Sequence, residues 1–223
     1  MDKRTVKDLL YEQVARIGKA VSSPKRLELL ELLAQGQKSV EDLAGEISID
    51  VKLASAHLKV LREARLVEAR KDGKFVFYRL ASADVASLWV ALRETAQEHL
   101  VELSVAVSKI TATPDKLADM SRAQLLEEVR KGTIILIDVR PQAEFAHSHL
   151  PYARSMPLDE IEHRIKELPK SKEIVAYCRG PFCVFAEEAA RLLRINHRKV
   201  SKLKDGVAEW HAAGMPLESE EVQ

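Results

Sequence analysis

The spacing of apolar residues changes once along this chain, near residue 112. Residues 6–110 place apolar side chains at helical intervals, with one short hairpin pattern among them. Residues 133–137 and 173–177 are instead short apolar runs typical of buried strands, with helical stretches between and after them. The chain is therefore expected to be multidomain: a mainly α domain at residues 1–111, a linker at 112–117 and an α/β domain at 118–218.

Composition indicates where the protein is located and what its cysteines do. With 223 residues, each expected domain is long enough for its own core. The longest apolar runs are too short to span a bilayer, and the first ten residues lack the apolar core of a secretory signal. A cytoplasmic protein with no membrane partner is expected. Two cysteines, Cys178 and Cys183, are too few for a secreted disulfide scaffold, so reactivity or metal binding is favoured.

Charge is unevenly distributed between the two halves. Residues 1–81 contain 16 Lys and Arg against 12 Asp and Glu, whereas residues 82–223 contain 19 against 22. A basic first half suits contact with phosphate, and a mildly acidic second half does not. The excess is modest, and alone it is a weak indication of nucleic-acid binding.

Two neighbouring helix-start signals predict a helix-turn-helix. Ser39 is suited to cap a short helix, and Asp50 to cap the next one at residues 51–64. The inward face of that second helix has apolar residues at helical spacing: Leu53 or Ala54, Leu58 and Leu61. Its outward face is polar and basic: Lys52, Ser55, Lys59 and Arg62. Such a helix can enter a DNA major groove, although an ordinary solvated helix face has the same composition.

Residues 66–80 follow as two predicted strands around a basic tip, Lys71-Asp72-Gly73-Lys74. Asp72-Gly73 is a strong signal for a two-residue hairpin loop. A basic hairpin tip of this kind has the composition of a wing that lies on the phosphate backbone, with Lys71 and Lys74 as its contacts.

Residues 24–80 resemble the ArsR/SmtB family of winged-helix repressors. The family's Ser-x-His-Leu-x-x-Leu pattern is present as Ser55, His57, Leu58 and Leu61, and Arg65 stands where the family has Gly before the wing. The resemblance implies a homodimer on a double-stranded DNA operator, with a dimerisation helix at residues 84–108 that could instead pack within the chain. The candidate DNA-binding residues are Lys52, Ser55, His57, Lys59, Arg62, Lys71 and Lys74.

Metal sensing is not expected of this helical half. Family metal sensors place thiolates on the helix before the recognition helix, or Asp and His sets on the last helix. Residues 39–44 contain no Cys, and Asp84 and His99 lack the neighbours that would complete a zinc set of about four ligands. We therefore expect no metal site and no cofactor.

In the second half, one cysteine occupies a loop between a strand and a helix. The predicted strand at residues 173–177 delivers Cys178, and the loop leads into a helix at residues 185–194. Backbone N–H groups and the helix N-terminus can lower a thiol pKa there and favour the nucleophilic thiolate. Arg179 is expected to add positive charge for an anionic sulfur donor.

Residues 118–218 resemble the rhodanese domain in three separate motifs. Asp-Val-Arg-x-x-x-Glu-Phe is present at 138–145, and Gly-His-Ile-Pro-Gly-Ala is present at 148–153 with both glycines replaced. The third motif, Gly-Gly-x-x-x-Trp-x-x-Ala-Gly-x-Pro, is present at 205–216 with Asp205 in place of the first Gly. The resemblance implies an α/β fold with a mostly parallel sheet and transfer of sulfane sulfur, from a donor such as thiosulfate, through a persulfide on Cys178. The rest of the active-site loop is then Arg179, Gly180, Pro181, Phe182, Cys183 and Val184.

The sequence leaves alternatives for several residues of this second half. Asp138 and Arg140 are expected to brace the strand and loop by an internal ion pair rather than to catalyse. Cys183 is either a resolving thiol or a small buried hydrophobe. A phosphatase is disfavoured because position 184, six after Cys178, is Val rather than Arg.

Three functions fit this combination of parts. The leading hypothesis is a transcriptional regulator whose operator affinity is tuned by sulfur chemistry at Cys178. A sulfurtransferase enzyme that uses the helical domain as an anchor to DNA or a dimer is the main alternative. A domain that only recognises a ligand is the third.

Overall fold

A computed structural model of the chain describes residues 2–110 and 120–220. The chain divides into two compact units, Met1–Trp89 and Val90–Gln223. The linker expected at residues 112–117 lies outside the described residues. The division between the units falls inside a helix, Ala83–His99, so this one helix has residues in both of them.

The first unit consists of helices around a small antiparallel sheet. Its elements are α1 Lys3–Val21, α2 Pro24–Leu33, β1 Lys38–Ser39, α3 Val40–Glu46, α4 Val51–Glu63, β2 Val67–Asp72, β3 Phe75–Leu80 and the start of α5 Ala83–His99. The strand order is β1-β3-β2. Leucines of three helices, Leu29, Leu43 and Leu58, are completely buried in a single core, which fixes the pair α3 and α4 on α2.

The two expected helix caps are present. The hydroxyl oxygen of Ser39 accepts from the backbone N–H of Asp42 at 3.1 Å, and a carboxylate oxygen of Asp50 accepts from the N–H of Leu53 at 2.9 Å. Of the two alternatives for the inward face of α4, Ala54 is buried, whereas Leu53 is 44% exposed. The polar face of α4 therefore points away from the core as expected.

The wing differs from the expectation by one residue. Asp72 and Phe75 are paired across the hairpin, so the two-residue loop is Gly73-Lys74 rather than Asp72-Gly73. Gly73 has a φ of 58°, in the left-handed region, and a hairpin loop with Gly first in that conformation matches the right-handed twist of the strands. The shift places Lys74 at the tip itself.

Arg65, at the family's Gly position, ends α4 in a left-handed conformation with φ 61°. The N–H of Leu66 donates to the carbonyl of Leu61 at 3.0 Å, and the N–H of Arg65 donates to that of Arg62 at 2.9 Å. These bonds form a Schellman motif, whose left-handed position is usually Gly. The geometry of the turn into the wing is thus retained, at a conformational cost to Arg65.

The long helix expected at residues 84–108 is interrupted, so this expectation was wrong. Helix α5 ends at His99, and α6 runs over Val101–Ile110. The hydroxyl of Ser104 donates to the carbonyl of Gln97 at 2.8 Å, across the break at Leu100. A side chain that takes over a main-chain carbonyl in this way stabilises a bend in the helical path.

The second unit is a parallel sheet with helices on both faces. After α6 come α7 Arg122–Arg130, β4 Ile134–Asp138, α8 Gln142–His147, β5 Arg154–Ser155, α9 Ile161–Arg164, β6 Glu173–Tyr177, α10 Phe185–Ile195, β7 Lys199–Lys202 and α11 Val207–Ala212, with 3-10 turns at Leu158–Glu160 and Ile165–Glu167. The strand order β5-β4-β6-β7 is parallel throughout.

Alternate residues of the central strands face two separate cores. Ile137 and Ala176 lie in one core with Leu193 of α10. Leu136 lies in the other with Leu125 of α7 and Trp210 of α11. A strand covered on both faces is apolar throughout, which explains the continuous apolar runs in the sequence. The carboxyl ends of β4 and β6 then deliver Asp138 and Cys178 to the same edge of the sheet.

In the part of the chain that the structure describes, no helix has the length and apolar character needed to cross a membrane.

Candidate functional site

The polar face of α4 and the wing are the two candidate DNA-contacting surfaces of the first unit. Lys52, Lys59 and Arg62 are exposed, and Ser55 and His57 are half-buried. Lys59 contacts Glu63 only at 3.9 Å, and both side chains are largely exposed. These side chains stay accessible to a nucleic acid, as recognition by a helix in a groove requires.

The two wing lysines are both exposed, Lys74 within the hairpin turn and Lys71 on the strand before it. The ammonium of Lys74 lies 5.1 Å from the centroid of the Phe75 ring, and Lys71 is on β2. The neighbouring Arg70 is paired with Asp72 at 2.9 Å. The wing therefore offers the cations of Lys71 and Lys74 more readily than that of Arg70.

In the second unit, Cys178 follows directly after β6 and is buried, with 2% of its surface exposed. It forms a disulfide with Cys183, five residues further on. The loop between them is half-buried, and Val184, which is 50% exposed, precedes the first turn of α10. The two cysteines are thus within direct bonding distance of each other, as a reactive and resolving pair must be.

Gly206, which precedes α11, and Glu209 of α11 lie against the loop between the two cysteines. A Cβ atom on Gly206 would lie 2.6 Å from the carbonyl oxygens of Cys178 and Arg179, closer than real side chains come. A Cβ on Gly180 would lie 3.1 Å from both carboxylate oxygens of Glu209. Gly206 therefore allows two backbone segments to touch, and Glu209 lies directly against the Cys178 loop.

Glu209 is in turn held by Arg93 of α5. The guanidinium of Arg93 donates a short hydrogen bond to the Glu209 carboxylate, and each side chain is 2% exposed. Glu209 also accepts from the backbone N–H of Gly206 at 2.6 Å. The Arg93 guanidinium carbon lies 5.9 Å from the centroid of the Phe182 ring, within cation–π range. Arg93 thus contacts both the loop and its support.

Asp138 and Arg140 form the expected internal ion pair. Both side chains are completely buried, and Arg140 donates to Asp138 at 2.5 Å and to the carbonyl of Ser148 at 2.7 Å. Burial lowers the pKa of Arg140, but the charge of Asp138 and the hydrogen bonds to it raise that pKa above its ordinary value. Burial, followed by the charge of Asp138, raises the pKa of Tyr177 well above its ordinary value. These groups brace the sheet edge.

Arg179 has a different environment from the one expected. Its guanidinium donates to both carboxylate oxygens of Glu144, at 2.5 and 3.0 Å, and both side chains are largely buried. The ion pair neutralises much of the positive charge that was expected to attract an anionic donor. Arg179 instead ties the Cys178 loop to α8.

The sequence reasoning missed Arg93 and Glu209. Arg93 directly follows the apolar run at 88–92 and is itself followed by Glu94 and Thr95, so the sequence alone does not mark it as buried. Glu209 stands at a variable position of the motif that contains Trp210, and nothing in the sequence marks it.

Within residues 2–110 and 120–220, no three His, Cys, Asp or Glu side chains are grouped as a metal site would require.

Comparison with known proteins identifies both units. Residues 23–69 match the family model "Bacterial regulatory protein, arsR family", and residues 121–213 match the "Rhodanese-like domain". The fold and the site thus define a helix-turn-helix transcriptional regulator with a C-terminal rhodanese-like domain, which confirms both predicted folds.

The relatives narrow this class further. The HTH-type transcriptional regulator Rv0324 of Mycobacterium tuberculosis is 41% identical over 95% of this chain and 93% of its own length. This chain therefore belongs to the same family of arsR-type regulators.

Two further matches each concern one half. A sulfurtransferase of Allochromatium vinosum is 31% identical over 38% of this chain and 78% of that protein. The homodimeric winged helix-turn-helix domain of a possible ArsR-family regulator from Mycobacterium bovis, solved by NMR, is 43% identical over 45% of this chain and 91% of that chain, with a TM-score of 0.42.

Proposed function

We propose that this DNA-binding regulator changes its operator affinity when Cys178 gains or loses a sulfane sulfur. The observation that carries the proposal is the buried contact of Arg93 with Glu209 and Phe182. Arg93, Phe182 and Glu209 all lie in the second unit, and Arg93 belongs to α5, whose first residues lie in the first unit. A change in the Cys178 loop can therefore act on a helix of the regulator through direct contacts.

Binding to a palindromic operator requires a dimer, and α1 supports one. This helix exposes five apolar side chains, by 38–70% of their surfaces: Val6, Leu9, Leu10, Tyr11 and Val14. A concentrated apolar face of this kind marks an interaction surface. Because most soluble oligomers are symmetric dimers, we assign this face to a second copy of the chain.

The chemistry begins with reduced cysteines. The Cys178 thiolate attacks the outer sulfur of a donor, for which thiosulfate is the simplest probe; the donor's S–S bond breaks, and sulfite leaves with the bonding electron pair. Cys178 then carries a persulfide. The Cys183 thiolate can attack the Cys178 sulfur, so that hydrosulfide leaves and the disulfide of the structure forms. The dithiol supplies the two electrons that reduce the sulfane sulfur.

Regulation then requires that the sulfur state favour one DNA-binding conformation over the other. A second sulfur on Cys178 occupies space in a loop that rests on Gly206 and Glu209. Displacement of Glu209 disturbs its buried pair with Arg93, and thereby α5. Coupling between two sites of one protein is typically about 5- to 150-fold in affinity.

The test is operator binding, measured by fluorescence anisotropy before and after thiosulfate, on reduced protein. Wild type should change its Kd by at least about fivefold. Cys178→Ser should bind the operator but not respond. Arg93→Met should still form the persulfide and lose the response, whereas Arg130→Met, at an exposed ion pair of α7, should respond like wild type. An unchanged wild-type Kd at full persulfidation would refute the proposal.

A sulfurtransferase enzyme is the second candidate, favoured by the buried cysteine loop and the likeness to the Allochromatium protein. Steady-state turnover with thiosulfate and an excess of acceptor thiol separates the two functions. A regulator needs only one stoichiometric modification, whereas typical enzymes turn over about once per second or faster.

A further inference from the structure

We propose that the sulfur donor is an organic persulfide with an apolar body, which binds in a cavity beside Cys178. This inference rests on the proposed chemistry of Cys178 and specifies its donor. The cavity has a volume of about 240 Å³ and reaches both cysteines. Its apolar walls come from four residues of separate elements: Val107 of α6, Pro181 of the loop, Ala186 of α10 and Leu203 after β7.

The polar groups of the cavity wall are mostly committed to other partners. The hydroxyl of Ser104 donates to the carbonyl of Gln97, and that of Ser108 donates to the carbonyl of Val105 at 2.7 Å. The ammonium of Lys202 is buried and paired with Glu187 at 3.0 Å. Lys204, which is exposed, is the remaining lining cation.

This wall suits an alkyl group better than a sulfonate. The doubly charged thiosulfate would lose hydrating water in the cavity and find few uncommitted side-chain donors there, which is costly. Arg179 does not compensate, because Glu144 occupies its guanidinium. An alkyl chain gains from the same walls, at about fourfold in affinity for each methylene that is buried.

The reaction keeps its atoms and charge in balance. The thiolate of Cys178 attacks the terminal sulfur of R–S–SH and forms a new S–S bond to it. The S–S bond of the donor breaks, and its electron pair leaves on the R–S group. The proton of the terminal S–H passes to that group, so the products are R–SH and the Cys178 persulfide anion.

The experiment compares methyl, butyl and hexyl hydropersulfides with thiosulfate. The protein is reduced with a phosphine and desalted, and mass spectrometry follows the gain of one sulfur on Cys178. The rate constant at low donor concentration should rise from methyl to hexyl, by about fourfold per methylene until the cavity is filled. Equal rates along the series, or thiosulfate as the fastest donor, would overturn the proposal.

Variants of α6 test whether the cavity causes the preference for longer alkyl chains. Val107→Phe should fill it and flatten the chain-length series, with thiosulfate little affected, whereas Val105→Phe, at a side chain that is 50% exposed, should keep the series. If Val107→Phe does not fold, Val107→Ala should instead shift the preference to longer chains. Identical series in all variants would contradict the assignment.

Operator binding measured on the same samples separates this inference from the proposed function. A chain-length preference without any change of operator affinity would refute regulation and leave the donor class standing. A change of operator affinity without any chain-length preference would refute the donor class and leave regulation standing.

Discussion

Arg93 and Glu209 are 116 positions apart in the sequence and form an ion pair with both side chains 2% exposed. Charged residues are rarely buried so completely unless they are paired. The Nε atom of Arg93 has no hydrogen-bond partner, so the site carries a desolvation cost as well as a Coulomb gain. A pair of this kind contributes more to a specific arrangement of the elements that it joins than to stability.

Removing one partner of this pair should destabilise the folded protein. Arg93→Met leaves the Glu209 carboxylate buried without its counter-ion, and the free energy of unfolding should fall by about 3–5 kcal/mol. Denaturant unfolding measures the change. The double variant Arg93→Met with Glu209→Gln should recover most of the loss, because the amide oxygen of Gln can still accept from Gly206. Arg130→Met is the exposed control and should change little; equal losses in both arginine variants would contradict the burial argument.

Gly206 should tolerate no side chain. Gly206→Ala places a carbon 2.6 Å from the backbone of Cys178 and Arg179, so the loop must shift. We expect a slower reaction of Cys178 with thiosulfate, followed by mass spectrometry, and a lower unfolding midpoint. Gly45→Ala is the matched control in α3, where a Cβ meets nothing within 4 Å; it should retain reactivity and gain about 0.5–1 kcal/mol.

Replacing the left-handed Arg65 with Gly should stabilise the protein. Arg65→Gly removes the conformational cost of φ 61° and should raise the free energy of unfolding by about 1 kcal/mol. Arg62→Gly, three residues earlier in the same helix, should lower it by about 1 kcal/mol, since Gly is a poor helix former. Denaturant unfolding of the two variants side by side should give opposite signs; a loss in Arg65→Gly would show that the arginine side chain matters more than its backbone.

The wing lysines should contribute to affinity without sequence preference. Lys71→Ala or Lys74→Ala should weaken binding to specific and unrelated duplexes alike, and each should reduce the slope of log K against log salt by about 0.9. Titrations at several salt concentrations measure the slope. Lys170→Ala, exposed in the second unit, is the control and should leave it unchanged. A slope that both wing variants preserve would place the wing away from phosphate.

The two thiols should have separate roles. Cys183→Ser should leave the first sulfur transfer to Cys178 intact and prolong the life of the persulfide, because the disulfide of the structure can no longer form. Mass spectrometry over time distinguishes the species. A sulfur adduct on Cys183 in the Cys178→Ser variant would reverse the assignment of the nucleophile, and an unchanged lifetime would indicate that Cys183 only packs.

Local signals in the sequence predicted much of this architecture. Ser39 and Asp50 are caps because their side chains reach N–H groups three residues away, and the apolar run before Cys178 had to be a strand covered on both faces. Replaced family glycines were also informative. Arg65 and Tyr152 both occupy such positions, and both have a positive φ, a conformation that Gly adopts more readily than other residues.

Two kinds of feature were not predictable: the break in the helical path and the pairing of residues far apart in sequence. The break at Leu100 needs the hydroxyl of Ser104 to reach Gln97, and no periodic pattern shows it. The partner of Arg179 is Glu144, 35 positions away, and only the folded sheet brings α8 beside the loop. Such pairs follow from topology, because residues far apart in sequence meet only when the strand order is known.

The apolar face of α1 has a consequence for dose response. A symmetric pair of chains on one operator carries two copies of Cys178. If both copies share one conformational equilibrium, partial modification produces dimers with one modified and one unmodified Cys178. A plot of operator occupancy against donor concentration then has a Hill coefficient between one and about two. The regulated output can then rise more steeply with the donor than the modification of each single cysteine.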